Sequence, residues 1–290
     1  LAAPAKLNLY LHVTGKRADG YHLLDGLAAF VDVYDVLTLS SASALDFAAD
    51  GPFAPALAGD DPVTNLVVRA ARALGDAVGR SPDVAFRLTK NLPVASGIGG
   101  GSADAAAALK GLAHLWGIDA ENPVVAEVAA RLGSDIPVCV AGRACYMGGT
   151  GTELAPAPAL PEAGLLLVNP GIGLSTPSVY RARQGDFSPA ARFHDAVPDA
   201  AALARLLAER GNDLTRPAVS LVPEIGTVLA ALDAAEGGLL ARMSGSGATC
   251  FGVFADAETA KAAGERLKKA NPGWWVAPGR LLGDTGTLSI

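Results

Sequence analysis

Residues 6–13, KLNLYLHV, alternate strictly between apolar and polar side chains. Leu7, Leu9, Leu11 and Val13 fall on one face of an extended chain, and Lys6, Asn8, Tyr10 and His12 on the other. The pattern predicts a half-buried strand with an unusually polar outer face. Further strands are expected over 36–39 and 84–88. Between them, 65–79 reads as a helix: Leu66, Ala70, Leu74 and Val78 recur at every fourth position, and Gly79 supplies a stop. Beyond residue 164 the chain predicts a strand (LLLVNP), helices near 198–210 and 223–236, and a strand pair around MSGSGATCFGVF. A helix over 256–270 and a last strand, WWVAP, follow.

Alternation without a regular repeat argues for mixed α+β layers, against a helical bundle or an all-β sandwich. The C-terminal part reads as a small sandwich with helices on one face. Gly, Pro and Ala dominate 148–164, which marks a hinge or boundary near 158 and divides the chain into 1–158 and 159–290.

Composition narrows the class. The 290 residues are 50% hydrophobic and 18% charged, with mean hydropathy +0.31, so the chain can bury a large core and disorder is a poor reading. A net charge of −6 removes the broad positive field that nucleic-acid binding needs, and no nucleic-acid partner is expected. The charge-free stretch 163–180 is 18 residues long but is broken by Asn169, Pro170, Gly171, Gly173, Ser175 and Pro177. It suits a strand and loop, not a span of ~20 apolar residues, so no membrane partner is expected either. The first residues show no basic region followed by a long apolar run, so no signal peptide is expected and the expected location is cytoplasmic. Cys139, Cys145 and Cys250 show no CxxC spacing and fit reduced core thiols. Four scattered histidines without HExxH give a protein-built zinc site little support.

The richest chemistry lies in Pro93-Val94-Ala95-Ser96-Gly97-Ile98-Gly99-Gly100-Gly101-Ser102-Ala103. Four glycines in five positions precede an Ala-rich, strongly helix-forming run. Ser102 is expected to cap that helix, with Asp104 in its first turn beside the positive end of the dipole. Glycines against a helix N-terminus converge backbone N–H groups on one point, which makes a phosphate cradle. The loop is not GxxxxGK[ST], because no Lys follows it. It is not GxGxxG either, because Gly97-x-Gly99-x-x ends on Ser102. The bland alternative is a turn that ends a strand, but an ordinary turn needs one or two glycines, and four cost backbone entropy.

The pattern PxxxGIGGGSADAA resembles the ATP-binding motif of the GHMP kinase superfamily. PAKLNLYL (4–11) is similar to its first motif and MSGSGATCFGVF (243–254) to its third. KLNLYLHVTGKRADGYHLLDGL (6–27), RLGSDIPV, NPGIGLSTPSVY and GNDL fit the branch that acts on a cytidine diphosphate derivative of methylerythritol, on the non-mevalonate route to isoprenoid precursors. The resemblance implies an α+β, two-domain fold: an N-terminal domain like the second domain of ribosomal protein S5, then a ferredoxin-like C-terminal domain. It implies ATP and Mg²⁺ as cofactors, a small-molecule acceptor, and transfer to a hydroxyl in the cleft between the domains.

Residue by residue, it implies Lys6 and Asp135 as the catalytic pair. Alone, Lys6 reads as a surface lysine near a terminus, and Asp135, between Gly and Pro, as a helix cap or turn. The stretch 93–103 and Asn65 are implied at ATP, and Ser102 also at Mg²⁺. Asn8, Gly245, Ser246 and Gly247 are implied at the acceptor, with Tyr21 and His22 against a cytosine and Tyr180 on the other side of that ring; a Tyr-His pair alone reads as a loop anchor. The loop departs from the commoner spelling at Ile98, in place of Leu, and at Ala103, in place of a second Ser, which leaves one hydroxyl fewer for phosphate. Other readings are a homoserine or mevalonate-type kinase, or a non-catalytic nucleotide-binding member of the superfamily.

Overall fold

A computed structural model describes residues 1–58, 62–119 and 122–288. The chain opens with a long hairpin. β1 (Ala2–Lys16) runs antiparallel to β2 (His22–Ser41), and the tip between them turns at Gly20, φ +93°. Then come β3 (Asp46–Asp50), α1 (Leu66–Val78), β4 (Val84–Thr89), α2 (Gly100–Trp116), α3 (Pro123–Leu132), α4 (Ile136–Ala141), β5 (Cys145–Gly149) and β6 (Glu153–Pro156). The remainder is β7 (Gly164–Asn169), α5 (Thr176–Ala182), α6 (Ala200–Ala208), α7 (Thr215–Leu221), α8 (Glu224–Asp233), β8 (Gly238–Met243), β9 (Cys250–Phe254), α9 (Ala257–Ala270) and β10 (Trp275–Leu282).

The long strand β2 organises the sheet. One edge pairs with β1; the other pairs in turn with β5 over 24–28, with β10 at Phe30 and Val31, and with β4 over 36–41. β3 joins β4 in parallel, and β6 joins β5. At the other end the order is β10-β7-β9-β8, all antiparallel, so the last strand of the chain ties both sets of strands into one sheet.

α1 follows its sequence closely. The Asn65 side chain accepts the Val67 N–H at 2.9 Å, and Gly79 ends the helix in the left-handed region at φ +68°. Its apolar side packs with α2, α3 and α4 on the first part of the sheet, around Leu37, Leu74, Phe86 and Leu109. A second core joins Leu7, Leu9 and Tyr10 of β1 to Leu165, Leu167, Phe251 and Val253 and to Leu203 and Leu207 of α6. A third sets Leu166, Val168 and Phe254 against α8 and α9. The expectation of helices on one face is therefore corrected. α8 and α9 cover one face of the β7–β9 strands, while α6 and β1 close the other. All three cysteines are free and buried in these cores. Among the described residues, no helix is long and apolar enough to cross a membrane.

β1 also departs from expectation, because residues 3–13 are buried on both faces. Tyr10 and His12, expected outward, lie beneath an irregular strap over 183–199, with the Pro189 carbonyl 2.8 Å from His12 Nδ1. The strap is fastened at Asp25. That carboxylate accepts from the Ala191 N–H, Arg192 Nε and the Tyr10 hydroxyl, each at 2.8 Å. Phe193 meets Tyr146 edge to face, with ring centroids 6.0 Å apart.

Burial pushes the Asp25 pKa up, but the Ala191 N–H, Arg192 and Tyr10 together outweigh it and hold the carboxyl below its usual value. Such a group adds stability that is fully present above the unfolded pKa and is lost as pH falls through the lower folded pKa. Asp25→Asn is therefore expected to destabilise the protein by about 1–3 kcal/mol at neutral pH. Denaturant melts should show that difference closing as pH drops below ~4.

Candidate active site

A cleft of about 1470 Å³ runs from the N-terminus of α1, past the turn before α2, to the tip of the β1–β2 hairpin. The turn is built on left-handed residues: Ala95 (φ +51°), Gly97 (+78°) and Gly99 (+65°). Pro93, Val94, Ala95, Ser96, Gly97, Gly99, Gly100, Gly101 and Ser102 line the cleft. Gly99, not Ser102, occupies the capping position of α2, because its left-handed backbone starts the helix at Gly100. Ser102 sits instead in the first turn. Ile98 and Ala103 turn their side chains into the cores, so only their backbone is left to the turn. Free N–H groups at the start of α2 and the helix dipole favour an anion there. Asn65 lines the same end while capping α1.

The turn is close-packed. A Cβ on Gly97 would lie 2.6 Å from the Gly247 carbonyl oxygen and 2.7 Å from that of Ser244. The Ser244 hydroxyl donates to the Gly97 carbonyl at 3.0 Å and accepts the Asn8 N–H at 3.1 Å. Thus β1, the glycine turn and the β8–β9 loop meet at one hydroxyl.

Two buried lysines flank this turn. Lys6 Nζ lies 3.0 Å from Asp135 Oδ2 and donates to Asn8 Oδ1 at 2.9 Å. Lys6 is only 2% exposed, whereas the Asp135 side chain is 34% exposed and opens on the cleft. Asp135 occupies the capping position of α4, but its side chain makes no capping bond. Its carboxylate serves the lysine. On the other side, Lys90 Nζ meets the Asp35 carboxylate and, at 2.6 Å, Asp104 Oδ2. Asp35 also accepts the Asn91 and Leu92 N–H groups. Asp104 was expected in the first turn of α2, but with Gly99 as the cap it falls beyond that turn; it is 3% exposed, and among the described residues its Oδ1 has no hydrogen-bond partner. Burial raises its pKa, the Lys90 charge opposes, and the Asp35 charge adds to the rise, leaving it near 7.

At the far end, His22 and Tyr180 stack, with centroids 5.0 Å apart and planes 23° from parallel. Tyr21 lines the cleft but is 68% exposed, and the ring facing Tyr180 is His22. The expected placing of Tyr180 on the other side of a cytosine is therefore corrected: the two rings meet directly with no gap between them. Burial, then the Lys16 and Arg183 charges, hold the His22 pKa down and favour a neutral imidazole. Burial and the Asp135 charge push the Tyr180 hydroxyl up to about 12. Gly245 and Ser246 line this end, and the Ser246 hydroxyl lies 2.7 Å from Thr176 Oγ1. Gly247 does not line it; it packs behind, against Met243, Ile225 and Leu174. Sequence reasoning missed Lys90, Lys16 and Thr176. Nothing in their local spacing sets them apart from solvated residues.

Family models agree with this architecture: the GHMP kinases N terminal domain matches residues 65–143, and GHMP kinases C terminal matches 193–273. A 4-diphosphocytidyl-2-C-methyl-D-erythritol kinase of Paramagnetospirillum magneticum is 51% identical over 97% of this chain and 98% of its own. One from Paracoccus denitrificans is 53% identical over 97% of this chain and 96% of its own. A crystal structure of 4-(cytidine 5'-diphospho)-2C-methyl-D-erythritol kinase matches with TM-score 0.80 and 34% identity, covering 98% of this chain and 99% of that one. Matched in both halves and over its full length, the chain belongs to the GHMP kinase family.

Proposed function

We propose that the protein transfers the γ-phosphoryl group of ATP to the 2-hydroxyl of 4-diphosphocytidyl-2-C-methyl-D-erythritol, giving the 2-phosphate and ADP. The observation that carries this reading is the Lys6–Asp135 pair, 3.0 Å apart, set in one cleft between an anion-binding helix start and a stacked His22–Tyr180 pair. Phosphoryl transfer asks for positioning, charge neutralisation and a base at the attacking hydroxyl. Asp135 Oδ2 accepts the hydroxyl proton, and the oxygen attacks the γ-phosphorus as the bond to the β-phosphate oxygen breaks. Lys6 stabilises charge on the reacting oxygens and holds Asp135 in place. Asn8, on the Lys6 ammonium, fixes that side chain in turn. The glycine turn and the start of α2 hold the triphosphate, with Asn65 toward the adenine end.

Among the described residues no group of His, Cys, Asp and Glu side chains could by itself hold a metal ion. Mg²⁺ suits a site made mostly of phosphate oxygens and water, and the Ser102 hydroxyl, on the cleft, fits that role. When bound, Mg²⁺ would neutralise phosphate charge. The neutral His22 imidazole, Tyr180 and the exposed Tyr21 give the cytosine stacking faces and a hydrogen-bonding edge. A homoserine or mevalonate-type acceptor has no base to use that end. A non-catalytic member would have no need of the Lys6–Asp135 pair. The division at residue 158 goes with this reading, placing ATP on the N-terminal part.

ATP consumption with and without the cytidine acceptor tests the activity. Asp135→Asn should reduce kcat by ~10²–10⁴-fold in a protein that still folds, with a lower melting temperature because the buried Lys6 ammonium gives up its carboxylate. Near-normal turnover would remove Asp135 from the chemistry.

Gly97→Ala should raise KM for ATP by about tenfold or more, because its Cβ must displace two backbone carbonyls. Gly101→Ala, whose Cβ would meet only Leu66 Cδ1 at 3.5 Å, should melt no lower than the parent. A Gly97→Ala protein with parental Tm and KM for ATP would sink the cradle.

A further inference from the structure

Gly211-Asn212-Asp213 has no part in the chemistry described so far. The segment lies along β1: the Leu11 N–H donates to the Gly211 carbonyl, and the Asp213 N–H to the Leu11 carbonyl, each at 2.9 Å. Asp213 fastens it further, accepting the Val13 N–H at 2.7 Å and the Ser188 hydroxyl at 3.0 Å. Asn212 is thereby held, 8% exposed, beneath the β8–β9 loop. Its amide nitrogen donates to the carbonyls of Met243 and Gly245, both at 2.8 Å, and its oxygen accepts the Leu214 N–H at 2.9 Å. Both amide protons are spent on the loop.

Those two bonds orient it. In a planar trans peptide the N–H points opposite to the C=O. With the Gly245 carbonyl pinned to Asn212, the Ser246 N–H points the other way, and Ser246 lines the cleft. Among the described residues no carbonyl accepts from that N–H. An unpaired N–H at a cleft wall, following a glycine at φ +54°, is a ready anion donor. The Ser246 hydroxyl also meets Thr176 on α5, the helix that carries Tyr180. Loop and base-holding helix are therefore one unit.

We propose that Asn212 is a positioning residue for acceptor recognition: it locks the loop so that the Ser246 N–H donates to the diphosphate of the acceptor. This rests on the cytidine diphosphate reading above. The nucleotide side keeps a fastening outside this loop, the Lys6 N–H on the Ile98 carbonyl at 2.9 Å, although Ser244 and Thr249 also tie the loop to Gly97 and Ser96. Loss of Asn212 therefore falls more heavily on the acceptor than on ATP.

The test compares the full chain with Asn212→Asp, which keeps the shape and removes both donors, and with the neutral Asn212→Ser. Both variants should raise KM for the acceptor by about tenfold or more, and by a larger factor than KM for ATP. Inhibition by CDP and by cytidine isolates the diphosphate. The wild-type preference for CDP should shrink by about tenfold in both variants. Folded variants that keep the wild-type preference overturn the role of Asn212 and leave the cytidine reading standing. A lower melting temperature with unchanged kinetic constants makes Asn212 merely structural and overturns it too. If neither cytidine nor CDP inhibits the wild type, the cytidine reading itself fails, and this inference with it.

Discussion

An ammonium group out of water must be paired, and this site is arranged around two of them on either side of one turn. Lys6 is 2% exposed and Lys90 3%. A Cβ on Gly99 would come 3.3 Å from Lys6 Cε, and one on Gly100 would come 3.2 Å from Lys90 Nζ. The adjacent glycines are thus the two places where the turn rides directly over the lysines. Phosphate affinity alone does not explain four glycines. Close approach to two buried cations accounts for Gly99 and Gly100 and the carbonyl contacts for Gly97, while Gly101 meets only Leu66.

The two lysines are satisfied differently, and that separates their work. Lys90 is enclosed by Asp35 and Asp104, and Asp35 also takes two backbone N–H groups at the end of β4. Removing Lys90 would leave two buried carboxylates without their cation, and breaking a buried ion pair in this way typically costs ~3–5 kcal/mol. Lys90 therefore welds β2, the end of β4 and α2 together beneath the turn. Lys6 has one carboxylate partner, and that partner is a third exposed. Its pair faces the cleft, where a reacting hydroxyl can reach it. One lysine braces the glycine turn from beneath, and the other pairs with a carboxylate on the open cleft.

How far the sequence foretold this depends on the distance over which each signal acts. The helix over 65–79 was legible to its caps because Asn65, Gly79 and the four-residue apolar spacing are all local. The strand over 6–13 was legible as a strand but not in its burial, since the strap and the 211–213 segment that cover Tyr10 and His12 come about 180–200 residues later. α5 and α7, seven residues each, are too short to show a periodicity. Lys6 and Asp135 entered through family resemblance, because neither residue's neighbours distinguish it from a surface lysine or a capping aspartate. Lys90 had no such help. Its partners at 35 and 104 are ordinary aspartates in sequence and become a triad only when β2, β4 and α2 converge. Ser102 misled for a local reason: Ser is the better cap by composition, but Gly99 can take the left-handed conformation that the turn demands.

Rigidity is distributed unevenly along the cleft, and phosphoryl transfer gives a reason. The reaction is governed by placement, so a misplacement of ~1 Å at the reacting centre can cost ~10²-fold in rate. There the parts are cross-tied: Lys6 to Asp135 and Asn8, Asn8 to Ser244, and Ser244 to Gly97. The hairpin tip, by contrast, leaves Tyr21 68% exposed beside a His22–Tyr180 stack that a planar ring can extend. Stacking tolerates small shifts and draws on area, so it needs no comparable network. The fold places its buried polar groups where angles matter and leaves the hairpin-tip end of the cleft to surfaces.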